Sequence, residues 1–260
     1  MKRIHLFEFE DLPWFPSHLR DHATEFLQFL IHHTHLFEPI VDKLIKAIDR
    51  SGERRIIDLG SGGGGPWVGL SQELEVKRPE FEVFLTDLYP NRRALSRVTR
   101  KRKNIHFIKD SVNALKVSSD LTGFRTMFLS FHHFRPEQAL DILQDSVNAR
   151  SGIGIFEGQE RSFASILAMI LSPVTVVLTT PFIRPFRWGR ILFTYLIPII
   201  PLVVLWDGVI SSFRTYSVEE MKDLISKVQG HETFSWQVGK IPSGPGKISY
   251  LIGVSSSVLK

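Results

Sequence analysis

Apolar residues recur at helical spacing through the first fifty positions: Leu19, Ala23, Phe26, Leu27 and Leu30, then Ile40, Leu44, Ile45 and Ile48. Steps of three and four put them on one face, which predicts helices over 17–50. The period then changes. Arg55-Ile-Ile-Asp58-Leu reads as a buried strand running straight into glycines. Beyond it the chain alternates: helix Leu70–Lys77, strand Phe81–Thr86, helix Asn91–Lys103, strand His106–Lys109, strand Arg125–Phe131, helix Pro136–Asn148, strand Gly152–Glu157. Alternating short apolar runs and helical stretches predict a parallel sheet with crossover helices on both faces.

Ser162 to Ile183 and Ile191 to Trp206 carry no charge, with Arg184, Arg187, Trp188 and Arg190 between them. The first run meets the ~20 residues a spanning helix needs. Pro173, Pro181, Pro198 and Pro201 interrupt the two runs, and proline breaks helical hydrogen bonding. A helical lid, a hairpin dipping into one leaflet, or an apolar face packed on the core or a second copy are the three readings. Arginines and Trp188 at the turn suit a headgroup interface. Ser217 then caps a helix, with Glu220 three residues on. Thr233–Gly239 and Lys247–Val254 read as two strands closing the sheet as a hairpin. The predicted fold is a Rossmann-like, doubly wound α/β sheet of seven strands with a closing antiparallel hairpin. A hydrophobic helical insert separates strands five and six. The expected parts are a helical cap over 1–50, a cofactor-binding half over 51–160, the insert over 161–206 and a completing helix and hairpin over 207–260.

Composition sharpens this reading. With 260 residues and 43% apolar content the chain can bury a core, so disorder is excluded. It has no cysteine for disulfides or thiolate zinc sites. At 23% charged residues a polytopic membrane protein is disfavoured. The net charge of +5 is local, because residues 92–109 hold eight Lys and Arg and no acid. That stretch reads as a solvated helix face or an electrostatic patch. It lacks interleaved aromatics and base-reading motifs, so anionic lipid is favoured over nucleic acid. The first residues turn acidic by Glu8 and show no secretory pattern, which sets the expected location as cytoplasmic or on the cytoplasmic membrane face.

The central motif is Ile56-Ile-Asp58-Leu-Gly60-Ser61-Gly62-Gly-Gly64-Gly. Deleted side chains let backbone approach a ligand, and the following helix offers free N–H groups. Asp87 ends the next strand and can take two ribose hydroxyls. Asp58 can orient the loop, and Asp110-Ser111 can meet an adenine edge. Together Ile57-Asp58-Leu-Gly60-Ser-Gly62, Leu85-Thr-Asp87, Ile108-Lys-Asp110-Ser, Phe128-Leu-Ser130-Phe and Ile153-Gly-Ile-Phe-Glu157 resemble the ordered motifs of class I S-adenosylmethionine-dependent methyltransferases. The resemblance covers roughly 20–160 and 207–256. It implies S-adenosylmethionine as cofactor. Gly60, Ser61, Gly62 and Gly64 would then line the methionine end, Asp87 the ribose, Leu88 the adenine face and Asp110 with Ser111 the adenine edge. Ser130 and Phe131 would present backbone near the sulfonium. The fourth strand exits as Ser130-Phe-His132-His133-Phe134, not as the Asn-Pro-Pro-Tyr-like tetrapeptide of many DNA- and glutamine-directed relatives.

His132 and His133 follow a central strand, where α/β sheets place ligands, so they are candidate bases, with one of the pair facing the site. Glu157 is a further catalytic candidate. Asp207, directly after the apolar insert, is a weaker catalytic candidate, and Trp14, Phe15 and Glu160 are candidates for the acceptor pocket. The spacing of His32, His33 and His35 does not converge on one helical face, so no metal is expected. The reading is a methyltransferase acting on a small apolar or lipid-like acceptor. A membrane-associated binding protein with a non-catalytic version of the fold is the first alternative, and a nicotinamide-dependent oxidoreductase is the second. Homo-oligomerisation through the insert stands beside the membrane reading.

Overall fold

The computed structural model describes residues 1–100 and 102–256. In chain order the elements are α1 (Ser17–Thr34), α2 (Val41–Ser51), β1 (Arg55–Leu59), α3 (Trp67–Lys77), β2 (Glu82–Thr86), α4 (Arg92–Arg100), β3 (Ile105–Phe107), β4 (Phe124–Phe128), α5 (Pro136–Asn148) and β5 (Ile153–Glu157). They continue with α6 (Phe163–Ile170), α7 (Ser172–Thr179), α8 (Trp188–Ile191), α9 (Ile199–Arg214), α10 (Val218–Lys227), β6 (Phe234–Ser243) and β7 (Gly246–Ser255). Strand order is β3-β2-β1-β4-β5-β7-β6. The first five strands are parallel, and β7 enters antiparallel between β5 and β6.

Strand alternation divides the core. Ile56 and Phe128 face a layer that contains Leu44 and Ile48 of α2, Trp67 and Leu70 of α3, and Leu95 of α4. Ile57 and Met127 face the opposite layer, with Ile142 of α5 and Met221 of α10. Burial on both faces explains why the central strands read as continuous apolar runs. Ser217 caps α10 as expected: its side chain accepts from the Glu220 amide, and the Glu220 carboxylate accepts from the Ser217 amide. The predicted loop over 241–246 is mostly strand. Ile241 and Pro242 extend β6 to a tight turn at Gly244 and Pro245. Proline is tolerated there because β6 is the sheet edge.

The insert folds as two bent helical pairs. Phe163–Ile170 meets Ser172–Phe182 at 44°, and Trp188–Leu196 meets Ile199–Arg214 at 77°. Among the described residues no single helix is long and apolar enough to cross a membrane. Val176, Ile183, Ile200 and Val203 pack on Phe15, Leu19 and Phe26, forming a third apolar cluster with α1. Glu25 pins this contact electrostatically. It is buried, and Arg97 of α4 (2.7 Å), Arg187 (2.9 Å) and Arg190 (2.6 Å) all reach its carboxylate.

Candidate active site

The order change between β1 and β4 opens a crevice at the carboxyl ends of the strands, the general ligand position of open α/β sheets. A cavity of about 340 Å³ lies there, within the usual ~300–1,000 Å³ of small-molecule sites. The glycine loop forms its floor. Gly60 holds φ +72°, and a Cβ there would lie 3.0 Å from the Ser130 Cβ, so this close crossing of the β1 and β4 exits excludes larger residues. Gly62, at φ +52°, also lines the cavity beside Thr24, whose Cγ2 would lie 3.6 Å from a Cβ placed there, an ordinary van der Waals contact.

Asp87 sits at the end of β2 and lines the cavity. Its Oδ2 accepts the Gly62 amide at 2.7 Å and its Oδ1 accepts the Tyr89 amide at 2.7 Å. Each oxygen keeps lone-pair capacity for a hydroxyl donor. Asp58 does not reach the cavity. Its Oδ2 accepts from the Ser61 hydroxyl (2.6 Å) and its Oδ1 from the Thr126 hydroxyl (2.7 Å), so it braces the loop from behind. Burial pushes its carboxyl up to about 6 despite these bonds.

Of the remaining sequence candidates, Gly60, Ser61, Gly62, Leu88, Ser130 and His133 line the cavity, while Gly64 and Phe131 do not. Gly64 packs instead against Val98 and Gln28, and Phe131 is buried in the core. Asp110 and Ser111 are exposed and off the wall, where Val112, Asn113, Ala114 and Leu115 stand in their place. The Ser111 hydroxyl donates to the Leu88 carbonyl at 2.8 Å, turning it away. Trp14 is exposed, Phe15 is buried under the insert, and Glu160 ion-pairs with Lys240. No residue of the insert lines the cavity, which is roofed instead by Arg20, Asp21, Thr24, Leu27, Gln28 and Ile31 of α1.

The two histidines occupy a short 3-10 turn, Phe131–His133, and diverge. His133 lines the cavity, and its Nδ1 lies 2.7 Å from Asp11 Oδ1. His132 is buried, with Nδ1 2.9 Å from Glu157 Oε2, and Glu157 Oε1 accepts the His132 amide at 3.0 Å. Burial alone would lower the His132 pKa, but Glu157 and Glu8 overcome it and raise it to about 10. Glu157 and Glu8 thus favour the protonated imidazole of His132, which is buried away from the cavity with Glu157 beside it.

Arg214 organises this turn. It is almost fully buried, donates to the carbonyls of His132 (3.1 Å) and His133 (2.5 Å), and pairs with Asp11 Oδ2 (2.6 Å) and Glu8 Oε1 (3.0 Å). Burial raises Glu8 but His133, His132 and Arg214 hold it near 2; His133 and Arg214 hold Asp11 well below the carboxylate range against the same effect of burial. Ligand atoms of Glu8, His132 and His133 lie within 4.8 Å of one another, and the Arg214 guanidinium supplies the cation at that point. Glu10 also lines the cavity. Burial and the neighbouring Asp207 carboxylate push its pKa well above the usual value. Asp207 itself is raised to about 7 by burial, although it accepts the amides of Phe9 (2.8 Å) and Glu10 (3.2 Å).

Residues Glu8, Glu10, Asp11, Arg20, Thr24, Gln28, Asn113 and Arg214 escape sequence reasoning. The signal for Glu8 to Asp11 is only three acids within four residues, Glu8-Phe-Glu10-Asp11, in a segment without periodicity. Arg214 stands alone after the apolar run, in no motif that would single it out.

Parallel β1 to β5 in the order 3-2-1-4-5, closed by β7 and β6, is the class I methyltransferase fold. No family model matches the chain, and no curated protein matches it. Among solved structures it is similar to an O-methyltransferase from neocarzinostatin biosynthesis in complex with S-adenosyl-L-homocysteine and 1,4-dihydroxy-2-naphthoic acid. That match has a TM-score of 0.50 and 13% identity, covering 88% of this chain and 56% of that one. Magnesium protoporphyrin IX methyltransferase from Synechocystis PCC 6803 gives a TM-score of 0.48 and 12% identity, over 87% of this chain and 84% of that one. The plantazolicin methyltransferase gives 0.48 and 15%, over 92% and 98%. At these identities the likeness is one of fold.

Proposed function

We propose that this chain is an S-adenosylmethionine-dependent methyltransferase acting on a small apolar or lipid-like acceptor. The observation that carries this reading is the meeting, in one cavity, of the open Gly60–Gly62 loop, the Asp87 carboxylate and a carboxylate-paired His133. The residues fit the cofactor. Gly60 and Gly62 border the cavity without side chains and would face its methionine end, Asp87 has lone pairs left for two ribose hydroxyls, and Leu88 with Val112 to Leu115 offers a partly apolar slot for the base. When bound, S-adenosylmethionine supplies an electrophilic methyl on a sulfonium.

The chain then has to align the acceptor, exclude water and take a proton. Asp11 accepts from His133 Nδ1–H, which leaves Nε2 as the basic nitrogen. Nε2 would take the proton that an acceptor hydroxyl or acidic C–H loses when its oxygen or carbon is methylated, the electron pair of the broken S–CH3 bond staying on sulfur. Arg214 fixes both members of the pair. Leu27, Ile31, Met127, Leu129 and Phe134 add apolar wall, which supports an apolar acceptor. A peripheral place on the cytoplasmic membrane face is part of the same proposal.

Calorimetric titration with S-adenosylhomocysteine and, separately, with NAD tests the cofactor. Tight binding of the first and none of the second is expected; binding of neither, or of NAD alone, would overturn the reading. Labelled methyl transfer into lipid and metabolite extracts then identifies the acceptor, and a label found only in water-soluble polar products would overturn its apolar class.

A further inference from the structure

We propose that the insert and the basic helix α4 form one continuous docking surface for an anionic lipid bilayer. This deepens the peripheral-membrane reading above and does not rest on catalysis. Every part of the insert presents apolar side chains to solvent: Phe163, Leu178, Phe182, Trp188, Leu196 and Leu202 are 60–79% exposed. A monomer rarely leaves so extended an apolar surface bare. None of these residues lines the cavity, so covering the acceptor does not account for them.

The charges select the occupant. Between Ser162 and Trp206 there is no acid, and Arg184 is exposed at the turn between the two bent pairs. The basic stretch and the insert look like separate patches in the sequence, but the fold joins them. Arg97 of α4 and Arg187 of the insert reach the same Glu25 oxygen, and Arg190 takes the other. One carboxylate thus serves three guanidiniums, leaving positive excess at the seam. Arg93 and Arg100 on α4 are exposed and have no ion-pair partner among the described residues. An apolar face edged by cations matches the interior and the headgroups of an anionic leaflet. A second copy of the chain would bring the same positive edge against itself. The helices are bent by 44° and 77°, which suits insertion into one leaflet and not crossing, and Trp188, Tyr195 and Trp206 supply interfacial rings.

The test is co-sedimentation of the full chain with phosphatidylcholine vesicles, with and without about one-third phosphatidylglycerol, at ~0.1 M salt. The chain is expected to pellet with the anionic vesicles. Phe182→Glu with Trp188→Glu should lower partitioning about tenfold or more. Arg93→Glu with Arg100→Glu should lower it about tenfold on anionic vesicles only. Both double variants should keep the wild-type melting temperature and S-adenosylhomocysteine affinity, so a loss of vesicle binding is separable from a failed fold or a failed cofactor site. Wild-type chain remaining in the supernatant, glutamate variants that pellet like the wild type, or a dimer in solution dissolved by the same glutamates would each overturn the proposal.

Discussion

His133 and Asp11 stand 122 residues apart in the chain and 2.7 Å apart in space, Nδ1 to Oδ1. Each ends a short 3-10 turn, Phe9–Asp11 and Phe131–His133, and the two turns meet at the cavity edge. His133→Ala is expected to cut methyl transfer about 10²- to 10⁴-fold, the usual worth of a general base, while S-adenosylhomocysteine affinity holds. Asp11→Asn should cost less, since His133 keeps its place under Arg214. Single-turnover rates measure both, and a His133→Ala protein with wild-type turnover would remove the base from the mechanism.

Asp87→Ala removes a carboxylate that accepts two backbone amides as well as facing the cavity. Leaving such donors unpaired costs ~1–3 kcal/mol each where they are buried. S-adenosylhomocysteine affinity is expected to fall about 10- to 100-fold by calorimetry, with Asp87→Asn intermediate. Unchanged affinity in the alanine variant would place the ribose elsewhere.

The buried cluster sets a pH window. His132 is raised from 6.5 to about 10, so its contribution is complete below 6.5 and fades as pH climbs towards 10. Asp58 and Asp207 are carboxyls raised to about 6 and 7, so ionising them in the fold also costs stability as pH rises from their ordinary range through those values. Glu8, lowered to about 2, acts oppositely: its contribution is lost as pH falls from 4.5 towards 2. Melting temperature should therefore decline on the alkaline side of 6.5, and His132→Gln should flatten that limb while lowering the maximum. An alkaline limb unchanged by the substitution would mean that His132 is neutral in the fold.

Glu25→Gln strips the shared counter-charge from Arg97, Arg187 and Arg190 inside a buried junction. Breaking a buried pair from one side typically costs ~3–5 kcal/mol. Arg187→Ala should cost less, because Glu25 retains two partners. Urea denaturation compares them, and equal losses in the two variants would show that the junction is held by packing alone.

Much of this was legible in the residues. β1 and α5 match their sequence-read spans because an apolar run ending in glycine and a proline-started amphipathic stretch have sharp signatures. The hairpin was legible as a hairpin, but its turn was not, because Pro242 is a breaker in central strands and harmless at an edge. The glycine loop and Asp87 announce themselves by spacing. The loop after β3 does not: its path past Asp110 to Asn113 depends on the Val112 amide bonding the Asp87 carbonyl at 2.9 Å, a tertiary contact. His132 and His133 are chemically identical neighbours, and only the buried Glu157 and the distant Asp11 distinguish them. The roofing of the cavity by α1 instead of the insert follows from which face of α1 Glu25 occupies, and a hydrophobic pattern cannot weigh one buried carboxylate against three arginines.

α1 is two-sided. Asp21, Thr24 and Gln28 look into the cavity, whereas Leu19, His22 and Phe26 look towards the insert. Adjacent helical positions are about 100° apart, so deleting one residue between Asp21 and Gln28 would rotate the two halves of each set by about 100° relative to each other. Whichever half of the helix kept its place, the side chains of the other half would turn off both their cavity and their insert partners. Substitutions on either side of this helix can drift independently, but its length cannot: a change of one residue in that count would fail at both sites together.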